Sequence, residues 1–353
     1  LYLGLALTWV EPVMALGPLE KALATRKRSP IVHLALSKAY FGCALDCVDS
    51  NKAKSYAENA VKHARIGHGP LSDSPFAIST LLFAHLGAAS LNADTRDNHM
   101  QRSSELAEEL SSFPDSIDAA IARFNYFIQT NDPEAAVEVM RVAQRHEAVG
   151  QNFVGKFGAI AAFQVGNYSL ADQFLETVEN ERGDQREVWQ NVIKIGRADE
   201  DRETFLAAVL PTLDKKIESG YLVEIDLDWA VLRLLGAPKS ETRKLGRYIE
   251  QEFKQFKNEH LRQNTHRGTY MAGGRESELI RQQANSKRLL TNTYFILGVD
   301  SLANGKRRQA KENFQRAVDQ KVILFYRYHW SLAFMKRLER DPLWPRWIPN
   351  NED

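Results

Sequence analysis

The chain has 353 residues, 44% of them hydrophobic, with 46 Lys+Arg against 45 Asp+Glu and two cysteines. That apolar content is enough for a large core. Two cysteines exclude a disulfide framework and a multi-cysteine zinc module, and no apolar run reaches the roughly 18 residues of a membrane helix, since Glu11 interrupts the first one at Leu1–Val10.

The net charge of +1 conceals an asymmetry, because residues 1–238 carry 23 basic against 32 acidic side chains and residues 239–353 carry 23 against 13. Such a division marks a polyanion-binding patch or, more often, solvated helix faces and complementary surfaces between chains. The chain begins with Leu1 inside an apolar, helix-like run, as expected of a processed form or a segment of a longer protein.

Along the chain one spacing recurs, Ala-x3-large-x2-Ala. It places small residues where two helices cross closely and a large side chain in the gap between them. Ala15, Leu19 and Ala22 have it, after a Leu3-Gly4 pair that reads as the end of a shortened first helix, and Pro30 punctuates the next unit. There Leu36 and Tyr40 fall on one helix and Ala53, Ala57 and Ala60 on its partner. Gly67 to Pro75 reads as a loop, Phe76 to Leu91 as an apolar helix carrying Leu86-Gly87, and Thr95 to Ser111 as its partner, ended by Pro114.

Two clearer units follow. One is marked by Phe124, Phe127, Ala136, Met140 and Ala143, the other by Ala159, Ala162, Gly166, Ala171, Leu175 and Val178, with Ala136 and Ala171 35 residues apart. From Glu187 the spacing drifts, though Trp189 to Ile195, Glu203 to Ile217, Ile225 to Leu235 and Lys239 to Gln263 read as amphipathic helices. Asn264 to Arg275 has no periodicity and two adjacent glycines, so a flexible loop is expected.

The strongest stretch runs from Thr291 to Val318, with Leu297-Gly298, a turn at Gly305, and Ala310, Phe314 and Ala317. These residues resemble the signature positions of the tetratricopeptide repeat (TPR) family, a 34-residue helix-turn-helix unit. The resemblance implies an all-α fold, a right-handed solenoid of stacked antiparallel helix pairs, in which each hairpin buries its apolar face only against its neighbours. Phe325 to Leu338 is expected to be a C-terminal capping helix, with the tail DPLWPRWIPNN folded back on it, Trp344 and Trp347 included. The expected divisions are 1–66 and 67–183 as TPR-like repeats, 184–263 as degenerate repeats, 264–275 as the flexible loop, and 276–353 as the last repeat with its cap and tail.

Catalytic patterns are missing from the sequence. It holds no Gly-rich phosphate loop, no G-x-S-x-G elbow and no H-E-x-x-H helix. His63 and His68 are five apart, off the four-residue spacing that puts two ligands on one helical face. Cys43 and Cys47 have that spacing but supply half a zinc site, and buried packing is the commoner fate of such a pair. No catalytic residue, metal or cofactor is expected.

What stacked hairpins supply is a surface. The family resemblance places ligand-facing side chains on the concave side of the first helices, here Lys38 and Phe41, then Asn125, Ile128 and Gln129, then Lys156, Ile160, Phe163 and Gln164, and in the last repeat Asn292, Phe295, Val299, Leu302 and Ala303. The Asn and Lys on successive helices are similar to the clamp some members close on a peptide carboxylate. The leading expectation is a scaffold holding a protein, peptide or partner helix, with nucleic acid ranked below protein, a homo-oligomer compatible with the reading, and a cytoplasmic location favoured. The alternative is a regulatory or sensor module of a larger enzyme or transcription factor, of bacterial kinase or cyclase type.

Overall fold

The computed structural model describes residues 12–146, 150–178, 185–198, 201–220, 224–257 and 262–351, and the expected Leu3-Gly4 helix end lies outside them. The chain is all-α: eighteen α-helices and no strand occur among the described residues, arranged as consecutive antiparallel pairs. It divides into two compact units, residues 1–154 with 321–323, and residues 155–320 with 324–353.

In the first unit α1 (Pro12–Thr25) packs on α2 (Pro30–Asp46), which pairs with α3 (Ser50–His68). Then α4 (Pro75–Leu91) pairs with α5 (Arg96–Glu109), and α6 (Ile117–Gln129) with α7 (Pro133–Gln144). Local chemistry starts these helices. Prolines open α2, α4 and α7 at positions where the missing N–H costs nothing, and Asp49, Ser116 and Asp132 accept the backbone N–H of Lys52, Ala119 and Ala135 at 2.9, 3.3 and 3.0 Å. The expected small residues lie at the crossings, with Ala53, Ala57 and Ala60 buried. The first helices α2, α4 and α6 lie side by side, and α4 is buried nearly all round, from Ala77 to Ala89.

The second unit continues with α8 (Gln151–Val165), α9 (Tyr168–Glu176), α10 (Gln185–Arg197), α11 (Arg202–Glu218), α12 (Ile225–Leu234) and α13 (Lys239–Lys254). It ends with α14 (Thr265–Met271), α15 (Glu276–Gln283), α16 (Lys287–Ala303), α17 (Arg307–Asp319) and α18 (Tyr326–Arg340). The α16/α17 hairpin has the expected build. A Cβ on Gly298 would lie 2.5 Å from the Phe314 ring, and Gly305 turns the chain at φ +77°.

The segment 264–275, expected to be a flexible loop, contains α14. Two glycines where α13 and α14 cross are packing positions: a Cβ on Gly246 would lie 2.4 Å from the backbone of Ala272, and one on Gly268 2.4 Å from that of Glu250. Two helices crossing this closely need glycine at the contact, so Gly268 binds α14 to α13 instead of loosening it.

Helix α18 packs on the last pair, where Phe334 meets Phe295 and Phe314 at ring-centroid distances of 5.9 and 5.5 Å. It reaches well beyond that pair. Tyr326 meets Phe157 at 4.8 Å and Trp189 at 5.2 Å, and Trp330 meets Trp189 at 5.2 Å and Phe163 at 5.5 Å. The tail closes over it: Trp344 and Trp347 donate their indole N–H groups to the carbonyls of Ile195 and Leu234, both at 2.8 Å. Buried Arg307 donates to the carbonyls of Leu343 and Ile348 at 2.9 and 2.7 Å.

Candidate partner-binding face

On the first unit, Lys38 is half-buried on α2 with its Nζ 3.9 Å from the centre of the Phe76 ring on α4. Burial lowers its pKa, and Asp118 in the first turn of α6 opposes that shift. Gln129 is half-buried at the end of α6. Lys38, Phe76, Asp118 and Gln129 are each partly accessible, and Asp118 and Gln129, eleven residues apart, fall on one side of α6.

Phe41 and Asn125, expected beside them, belong to the packing. Phe41 lies 5.9 Å from Phe83, and a Cβ on Gly87 would come within 2.7 Å of its ring. Asn125 is fully buried and turns its Nδ2 back to the Ile121 carbonyl at 2.9 Å. Because α2, α4 and α6 are packed side by side, some positions on their inner side become helix-helix contacts and leave the surface.

In the second unit the expected groove residues meet α18. Phe163 is fully buried against Trp330 and Phe334, and Gln164, 5% exposed, donates to the His329 carbonyl at 3.5 Å, while Arg340 donates to the carbonyls of Phe163 and Gln164. Lys156, 8% exposed, holds its Nζ 5.6 Å from the Trp189 ring and 5.8 Å from that of Tyr326. Burial lowers its pKa, Glu224 works against that and Arg327 adds to it. Ile160, Phe295, Val299 and Leu302 are core as well. The first-helix face of this unit is thus occupied by a helix of the same chain.

Two features escaped the sequence reading. Beneath α18, Arg327 donates through Nε to Asp226 at 2.9 Å and through Nη2 to Glu224 at 2.7 Å, and Arg267 donates to Asp226 at 3.0 Å. Burial by itself would raise the Asp226 carboxyl, but the Arg327 and Arg267 guanidiniums hold it well below the usual carboxylate range. Nearby, Lys216 donates to Asp228 at 2.9 Å, and burial pushes that carboxyl up to about 6 against the pull of Lys216.

The second feature is a pair of histidine-histidine contacts in the first unit. Nδ1 of His33 lies 2.8 Å from Nδ1 of His63, and the same distance separates Nδ1 of His85 and His99. One ring of each pair must donate and the other accept through an unprotonated nitrogen, so the contact is lost when both rings are protonated. Burial, then the partner imidazole, lower the His63 pKa to about 4 and that of His85 to about 3. Among the described residues no group of three or more His, Cys, Asp or Glu could hold a metal ion. Cys43 is buried, its thiol pushed up to about 12 mainly by burial, and Cys47 donates to the Asp49 carbonyl at 3.5 Å.

No family model and no curated protein matches the chain. A solved structure that is similar to it is that of a tetratricopeptide repeat protein from Parabacteroides merdae, at 13% identity and a TM-score of 0.35, over 80% of this chain and 93% of that one. No helix among the described residues is long and apolar enough to cross a membrane.

Proposed function

We propose that the chain is a protein-interaction scaffold, and that a peptide or partner helix lies along α2, α4 and α6 of the first unit. The observation that carries this reading is α18. The equivalent first helices of the second unit bind a helix that presents Tyr326, Trp330 and Phe334 to α8, α10 and α16, so a row of such helices is a competent receptor for an amphipathic helix. On the first unit Lys38, Asp118 and Gln129 remain partly accessible to fix the register of such a ligand. A preformed row of helices loses little ordering entropy on binding.

The test is affinity capture from lysate of the source organism, comparing the wild-type chain with a Lys38→Glu, Gln129→Ala variant shown to be folded by circular dichroism. A partner retained by the wild type and lost by the variant supports the reading. A partner retained equally by both moves the binding surface elsewhere.

A further inference from the structure

We propose that the solvent face of α13, continued onto α14 and α15, is a docking surface for a short acidic segment of a partner protein. It is a different surface from the α2, α4 and α6 face, and neither reading depends on the other. One side of α13 is core, with Thr242, Leu245, Ile249 and Phe253 buried. The opposite side carries Lys239, Arg243, Lys244, Arg247 and Lys254, with Lys257 just past the helix end, all exposed. Lys239, Arg243 and Arg247 follow at four-residue steps and Lys254 stands two turns further, a single stripe about 22 Å long at ~1.5 Å per residue.

The neighbouring carboxylates neutralise only part of this stripe. Lys254 engages Glu250 at 2.6 Å and Lys244 engages Asp214 at 2.7 Å. Lys239, Arg243, Arg247, Lys257 and Arg262 form no ion pair with any described residue.

At the C-terminal end of the stripe lies a cleft of about 420 Å3 lined by Lys254, Arg262, His266, Gln282 and Asn285 among others, with no carboxylate among its described lining residues. A guanidinium and an ammonium, those of Arg262 and Lys254, lining one cleft suit a carboxylate side chain. Phe256, 37% exposed beside Lys257, adds an apolar contact of the kind protein interfaces use.

The charge balance favours a short protein segment over nucleic acid. The whole chain is near neutral and residues 1–238 are acidic by 9, so a long polyanion is repelled by most of the molecule, whereas a segment confined to the stripe meets an excess of cations, with Glu250 the carboxylate between Arg247 and Lys254.

The experiment uses the full chain and three fluorescein-labelled probes of equal length: an oligo-Glu peptide, an oligo-Gln peptide and an oligo-dT strand, followed by fluorescence anisotropy at low and high salt. Oligo-Glu is expected to bind at low salt, oligo-Gln not to, and high salt to weaken the complex. The Arg243→Glu, Arg247→Glu variant is expected to lose affinity by about tenfold or more, while Arg145→Glu, exposed on the first unit, leaves it unchanged. If the charge reversal impairs folding, Arg243→Gln, Arg247→Gln removes the same two charges more gently. Absent oligo-Glu binding, or binding indifferent to the α13 variants, overturns the proposal. Tighter binding of oligo-dT, lost in the same variants, also overturns it and assigns the face to nucleic acid.

Discussion

Arg327 and Asp226, 101 positions apart in sequence, are joined by two hydrogen bonds in the core of the second unit, each residue less than a tenth exposed. A guanidinium and a carboxylate desolvated together are stable only as a pair. Asp226→Asn leaves Arg327 with Glu224 alone and takes from Arg267 its carboxylate partner, and Arg327→Met leaves Asp226 with Arg267 alone, so each is expected to cost about 3–5 kcal/mol. The double variant should cost less than the sum of the two. Urea unfolding of the four proteins measures the coupling, and additive losses would show that the pair does not act as a unit.

Gly268 meets the backbone of Glu250 so closely that any side chain must push α14 off α13. Gly268→Ala is expected to destabilise the second unit by about 1–3 kcal/mol through this overpacking. Gln251→Ala, exposed on α13, should stay within about 0.5 kcal/mol of wild type. Thermal melts of the two variants separate the outcomes, and a neutral Gly268→Ala would return 264–275 to the status of a loose connection.

Acid should weaken the first unit through its histidine pairs. His63 and His85 have folded-state pKa values lowered to about 4 and about 3, against 6.5 for an unconstrained imidazole. Below pH 6.5 the unfolded chain therefore binds protons that the folded chain refuses. Their contribution is complete above pH 6.5 and declines as the pH falls towards 4 and below. His63→Gln combined with His85→Gln should flatten the dependence of the unfolding midpoint on pH between 6.5 and 4. An unchanged slope would mean that the imidazoles titrate freely in the fold.

The C-terminal tail is expected to hold α18 in place. Trp344 is fully buried against Phe334, at a ring distance of 5.4 Å, with its N–H on Ile195. Trp344→Ala removes that packing and leaves the Ile195 carbonyl without its indole partner, for an expected loss of about 3–5 kcal/mol. Trp347→Ala, partly exposed, should cost less. Equal losses would contradict the central place of Trp344.

Much of the fold was legible because its signals are local. Gly298 and Phe314 are sixteen positions apart, and their small-against-large contact follows from one hairpin's spacing. Helix α14 was hidden because a glycine such as Gly268 looks the same in sequence whether it loosens a loop or admits a close crossing. The reach of α18 was hidden for a different reason, since Gln164 and His329 meet across 165 positions and no periodicity links them. A usable clue was present in the helix itself. Arg327 to Ser331 form an unbroken buried run including Tyr328 and Trp330, so α18 has no single exposed face and must be covered on several sides. The groove residues followed from repeat position, which identifies an inner face without revealing that the chain's own helix covers it.

The measurement that tests the scaffold reading most directly is amide hydrogen exchange of the full chain with and without its captured partner. The account predicts new protection over 30–46, 75–91 and 117–129, where α2, α4 and α6 present Lys38, Phe76, Asp118 and Gln129, with exchange in α18 unchanged. Protection confined to other helices, or loss of protection across α18 as the partner displaces it, would contradict the account.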